Sequence, residues 1–269
     1  MANAVTVALE AERLEVLRLG GSLTDDEWNL PSDCEGWTVK DVLAHLVSVF
    51  HIDLATLKVL AAHRDGNDVE RINDQLVELR ASSSAGEILG EYERWSRRAM
   101  RVMSLLQRRP LRDLTVGMGG LGRHPLRLLA NAIVFDHYVH LRYDILAPTG
   151  PVDRPQPPHD GLRLEPIVEW CTSGLPQMSG PALYAVTAPV TLDLRGPGGG
   201  TWVYEPPRGG EKVGTVSPGG STGVAATIRS TTDEFLVWGT RRRDWHTREV
   251  EIDGDKDLAE RFLDNVNIV

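Results

Sequence analysis

Two helix-like segments, far apart in the chain, each offer metal-binding side chains from one face. This constrains the fold more than any other feature. The first, residues 35–50, reads EGWTVKDVLAHLVSVF and sets His45 inside an apolar amphipathic run. The second, residues 125–145, reads PLRLLANAIVFDHYVHLRYDI and sets Asp136 and His140 four residues apart. Residues four apart on a helix lie on one face, about one turn from each other, so a single cation can bridge them. An imidazole from the first segment completes a three-ligand site with an open position, as in catalytic rather than structural metal sites.

Each residue also has a plainer reading. A lone histidine on an apolar helix is more often a hydrogen-bonded core residue than a ligand, and Asp136 with His140 is also a reasonable helix-surface pair. Against this, Asp136 lies among Ile133, Val134, Tyr138 and Val139, in a run that reads as buried, and charged groups are seldom buried without a partner. His137 is offset by about 100° from Asp136 and is expected to face elsewhere. Asp144, one turn beyond His140, is placed to orient its imidazole.

The remaining pattern divides the chain in two. Residues 1–147 read as helices. An apolar-periodic segment from Val5 to Leu19 ends at Gly20-Gly21, a turn-rich stretch follows, and a helix starts near Thr38, where Thr38 and Asp41 resemble a capping box. A third helix is expected over Ser84–Leu106 and a fourth from Pro125. Four such helices fit a bundle, whose interior commonly hosts metal sites built from facing helices. The proline-rich residues 148–161 read as a semi-rigid linker. Residues 162–269 read as a small α+β domain: strands at VTLDL and TWVYEP around the turn GPGGG, a loop SPGGSTG, strands at VAATIRS and REVEIDGD, and helices at TDEFLVWGT and DLAERFLDNVNI. Neither glycine-rich stretch has a P-loop or dinucleotide fingerprint, so both read as turns.

Composition narrows the function. Net charge is -9, which argues against a nucleic-acid or anionic-membrane partner. The N-terminal stretch lacks the pattern of a signal peptide and no apolar run reaches the length of a membrane span, so a cytoplasmic location is expected. The two cysteines, Cys34 and Cys171, indicate neither a disulfide framework nor a cysteine-rich zinc site.

The stretch from Trp28 to Leu46, read as W-x-x-P-S-x-C-x-G-W-T-V-K-D-V-L-A-H-L, resembles the N-terminal signature of the mycothiol-dependent maleylpyruvate isomerase family, within the DinB-like (YfiT-like) metal-binding four-helix bundles. FDHYVH, residues 135–140, is similar to the family's second signature, and the segment from TDEFLVWGTRRRDW through EIDGD to LAERFL is similar to its C-terminal domain. The resemblance implies a DinB-like four-helix bundle followed by a small sterol-carrier-like α+β domain. It implies a divalent metal, usually zinc, on His45, Asp136 and His140, with mycothiol as cofactor. It also implies a C-terminal arginine of functional importance, nearest to Arg241 or Arg242. Arginine suits a carboxylate or the polar groups of a thiol through its planar donors. Arg123 is a further candidate near the ligand helix. Two departures stand out: Asp136 replaces the glutamate of the isomerase that names the family, and the polar cluster after His140 is displaced by one residue from the commoner His-x-x-Asp form.

The expected function is metal-assisted activation of a small thiol, as a metal-bound thiolate, for addition to an electrophilic small molecule. The enzyme is then an S-transferase or a cis–trans isomerase. The alternatives are a metal-dependent hydrolase or lyase with water in the open position, or a non-catalytic small-molecule-binding protein. The oligomeric state is unreadable.

Overall fold

The computed structural model describes residues 3–51, 53–62, 69–220 and 223–269. The chain separates into two units. The first comprises residues 1–120 and 124–158, the second residues 121–123 and 159–269. The division at 158/159 falls within the proline-rich stretch.

The first unit is helical: α1 (Ala4–Gly20), α2 (Asp25–Trp28), α3 (Val39–Ser48), α4 (Leu54–Ala62), α5 (Val69–Glu78), α6 (Ala85–Leu106) and α7 (Leu129–Val139). Two three-residue strands, β1 (Thr115–Gly117) and β2 (Arg123–Pro125), come between α6 and α7. The bundle is built on the four helices expected from periodicity: α1 packs on α6 and α7, and α3 on α6. Capping boxes start three helices, at Thr24/Glu27, Thr38/Asp41 and Ser84/Glu87, each satisfying backbone donors that helix geometry leaves open. The turn-rich stretch also contains α2, which its own capping box starts. Helices α4 and α5 were also not anticipated. Leu54, Leu57 and Leu60 of α4 are exposed, so its apolar residues do not form a clean core-facing stripe.

The fourth expected helix begins later than Pro125. A 3-10 turn at Leu126–Leu128 leads into α7, and residues His140–Ile145 continue it as a π-helical turn. Helix α7 is buried nearly all round: Ala130, Ile133, Val134, Phe135, Tyr138 and Val139 all lie in the core.

The second unit has a five-stranded sheet of β3 (Val190–Arg195), β4 (Gly200–Glu205), β5 (Thr215–Pro218), β6 (Ala226–Thr231) and β7 (Glu251–Gly254), in the order β5-β4-β3-β6-β7. Strands β3 and β6 are parallel, with Leu192 opposite Ile228, and the other pairs are antiparallel. Alternate residues Val190, Leu192 and Leu194 of β3 are buried, as a sheet covered on one face requires. That core is completed by α8 (Gly161–Met178), α9 (Thr232–Gly239) and α10 (Lys256–Asn265), which supplies Leu258, Phe262 and Leu263.

Helix α8 is absent from the sequence expectation because Pro166 and Pro176 lie inside it and read as breakers. The GPGGG turn joins β3 to β4 as expected. There Gly198 has φ +71 and packs on α8 so closely that a Cβ would meet the Leu164 carbonyl carbon at 2.6 Å. In the SPGGSTG loop, Ser217 and Pro218 close β5, and residues 221 and 222 lie outside the described residues. No helix among the described residues is long and apolar enough to cross a membrane. No disulfide joins Cys34 and Cys171.

Candidate metal centre

The capping box at Thr38 sets the start of α3, and its buried face carries Val39, Val42, Leu43 and Leu46 into the core with His45 among them. Helix α7 brings Asp136, and the first residue after it brings His140. The His45 Nε2 atom stands 3.1 Å from Asp136 Oδ1, and His140 Nε2 stands 3.6 Å from the same oxygen. One ligand atom from each of the three residues lies within 4.8 Å of the other two. The aspartate, though shorter than a glutamate, therefore reaches both imidazoles. Its side chain keeps 23% of its surface and that of His140 12%, so the centre is recessed yet open to an ion from solvent.

Asp144 Oδ2 lies 2.7 Å from His140 Nδ1 and turns the Nε2 atom of that ring toward Asp136. His137, by contrast, is not part of the cluster, although its Nδ1 lies 3.6 Å from Asp136 Oδ2. It is fully buried, its Nδ1–H donates to the Ile133 carbonyl at 2.9 Å, and its Nε2 accepts from the Tyr92 hydroxyl at 2.9 Å. Trp37 is half-buried beside the centre, its ring 5.3 Å from that of His45, and its indole N–H donates to Asp74. Trp28 belongs to the core. Cys34, which the sequence reading set aside, approaches His140 Nδ1 at 3.7 Å. A one-residue reading could not find it, because the loop that carries Cys34 meets His140 only in the fold.

Burial disfavours charge on both Asp136 and His140, but their pairing overrides it. The imidazoles of His45 and His140 hold the Asp136 carboxyl well below the usual carboxylate range. The carboxylates of Asp136 and Asp144 raise His140 well above an ordinary histidine. A proton on His140 Nε2 thus occupies the place a cation would take, and metal binding there releases protons.

Two imidazoles and a carboxylate suit zinc in type and number, with one position left open. The carboxylate has unused acceptor capacity as well: Asp136 Oδ2 is buried without a hydrogen-bond partner among the described residues, as is His45 Nδ1. These residues fit a divalent cation.

The C-terminal arginines lie in the other unit. Arg241 has φ +56, and its guanidinium donates to the carbonyls of Val266 and Asp264 at 2.9 Å, closing the end of α10. Arg242 is partly exposed, and its carbonyl accepts from Arg243. Arg123 is exposed, and its backbone is bonded to the Gln177 side chain.

The chain is thus a helical bundle with a recessed His-Asp-His cluster, followed by an α+β unit. Residues 9–145 match the mycothiol maleylpyruvate isomerase N-terminal domain, and the chain belongs to that family. The match spans all three candidate ligands. Two solved structures share the fold across both units. The mycothiol-dependent maleylpyruvate isomerase aligns with a TM-score of 0.51 and 12% identity over 89% of this chain and 88% of its own. A histidine-to-alanine mutant of that isomerase aligns with a TM-score of 0.52 and 11% identity over 92% and 91%. No curated protein sequence matches the chain.

Proposed function

We propose that this protein is a thiol-dependent enzyme of the cytoplasm, an S-transferase or a maleylpyruvate-isomerase-like cis–trans isomerase. In this reading it uses mycothiol and a divalent cation, best fitted by zinc, on His45, Asp136 and His140. The observation that carries it is the convergence of three ligand atoms within 4.8 Å, on side chains that are buried or only partly exposed. A cation there supplies Lewis acidity toward whatever enters the open position, and for a thiol this favours the thiolate.

The chain's own residues do the rest. His45 from α3 and Asp136 and His140 from the α7 segment bind the cation, and Asp144 keeps His140 in the orientation that presents Nε2. Trp37 shields the His45 side from water. Arg241, Arg242 and Arg123 are the candidate arginines for a carboxylate or the polar groups of the thiol, through their planar donors. The shared family supports the thiol, and its name supports isomerisation of a small conjugated acid.

Elemental analysis of the purified protein tests the reading. The expected result is near one equivalent of zinc, lost in both His45→Ala and His140→Ala. Turnover of conjugated electrophiles should then require added mycothiol. Turnover of an ester or amide without any thiol would instead identify a hydrolase with water in the open position. A metal content unchanged by either substitution, or no metal at all, sinks the metal-centred reading.

A further inference from the structure

The imidazole of His140 faces a donor set on each of its two nitrogens. Nε2 looks toward His45 and Asp136. Nδ1 looks toward Asp144 Oδ2 at 2.7 Å and Cys34 Sγ at 3.7 Å. One ligand atom each from Cys34, His140 and Asp144 lies within 4.8 Å of the others.

Orientation of His140 needs only Asp144; the thiol converging on the same nitrogen is additional. Main-chain hydrogen bonds hold it there. The Asp33 N–H donates to the Asp144 carbonyl at 2.9 Å, the Cys34 N–H to Ser32 Oγ at 3.2 Å, and the Trp37 N–H to the Cys34 carbonyl at 3.1 Å. Cys34 is only partly buried, so a cation can reach it.

We propose that Cys34, His140 and Asp144 form a second cation position, selective for thiophilic metals such as cadmium or copper(I), that competes with the first for His140. A tetrahedral ion with zinc-like bonds of about 2.0–2.3 Å spaces its ligands by about 3.3–3.7 Å, and the larger cadmium spaces them more widely. Cys34 and His140 stand near that separation, whereas Asp144, at 2.7 Å, has to withdraw by at least about half an ångström. Thiolate with imidazole and carboxylate is a softer donor set than two imidazoles and a carboxylate, so the two positions prefer different metals. Filling the second releases the protons of Cys34 Sγ and His140 Nδ1. In the zinc-loaded protein Nε2 takes up one proton from solvent as its zinc leaves, so the first position is left without His140. A thiophilic metal would therefore expel zinc and disable the first site.

Cadmium titration of the full chain tests this, read by the ultraviolet thiolate-to-cadmium charge-transfer absorption and by zinc release. The wild type should develop the band and lose its zinc. Cys34→Ser should show no band and keep its zinc, and His45→Ala should keep the band. Cys171 cannot imitate the signal: it is fully buried in α8, and burial pushes its thiol pKa up. If Cys34→Ser does not fold, single-adduct alkylation of the folded wild type removes the same donor. No band in the wild type, or a band that survives loss of Cys34, overturns the proposal. So does loss of the band in His45→Ala, which would make Cys34 a ligand of the first position. The thiol chemistry proposed above is judged separately, by zinc content and mycothiol dependence.

Discussion

Two histidines three residues apart in the α7 segment take opposite protonation states. His140 stands between two carboxylates, which hold it charged. His137 is buried, and burial pushes its pKa down to about 4 although Asp136 is nearby. It is neutral in the fold and accepts from Tyr92. The unfolded chain takes up this proton near pH 6.5, the folded chain only near pH 4, so the contribution is intact above pH 6.5 and falls away as pH drops toward 4. A difference of this size amounts to about 3 kcal/mol. Urea unfolding of the metal-free protein across that range should show a flatter pH profile for His137→Gln than for wild type, by roughly that amount. Parallel profiles would show that His137 is not the titrating group.

At the scale of elements, the π-helical turn His140–Ile145 carries both His140 and its orienting Asp144, and a buried ion pair anchors it to α1. Arg142 donates to both oxygens of Glu12 at 2.8 and 2.9 Å, and neither side chain is exposed. Arg142 also donates to the Pro158 carbonyl and lies 3.7 Å from the Tyr138 ring centroid. Removing one partner of such a pair leaves an uncompensated charge in the interior, so Glu12→Gln should cost about 3–5 kcal/mol in chemical denaturation. The exposed pair of Arg97 with Glu93 offers a control, and Glu93→Gln should change stability by less than about 1 kcal/mol. Similar losses in the two variants would mean that Arg142 finds other acceptors.

For the whole molecule, a cation that binds only the folded chain adds stability in proportion to the logarithm of its excess. A hundredfold excess over the dissociation constant adds about 2.7 kcal/mol. For a unit of this size that raises Tm by roughly 5–10 °C. Zinc should produce such a rise in the wild type, a chelator should reverse it, and His45→Ala should show neither. An equal rise in His45→Ala would place the stabilising ion elsewhere.

Much of this was legible along the chain because local rules set it. The capping residues Thr38 and Asp41, the four-residue step from Asp136 to His140, and the alternating apolar pattern of Val190, Leu192 and Leu194 depend on near neighbours only. Such signals determined the helical half, the α+β half and the three candidate ligands. Helix α8 escaped because its prolines argue locally against a helix that packing against β5 nonetheless supports. Other features required the fold itself: the approach of His45 to Asp136, Cys34 against His140, Glu12 against Arg142, and Arg241 turned to the end of α10. These contacts join residues distant in sequence. Periodicity specifies which face of a helix is buried, but only packing of that face against its neighbours decides which side chains it meets.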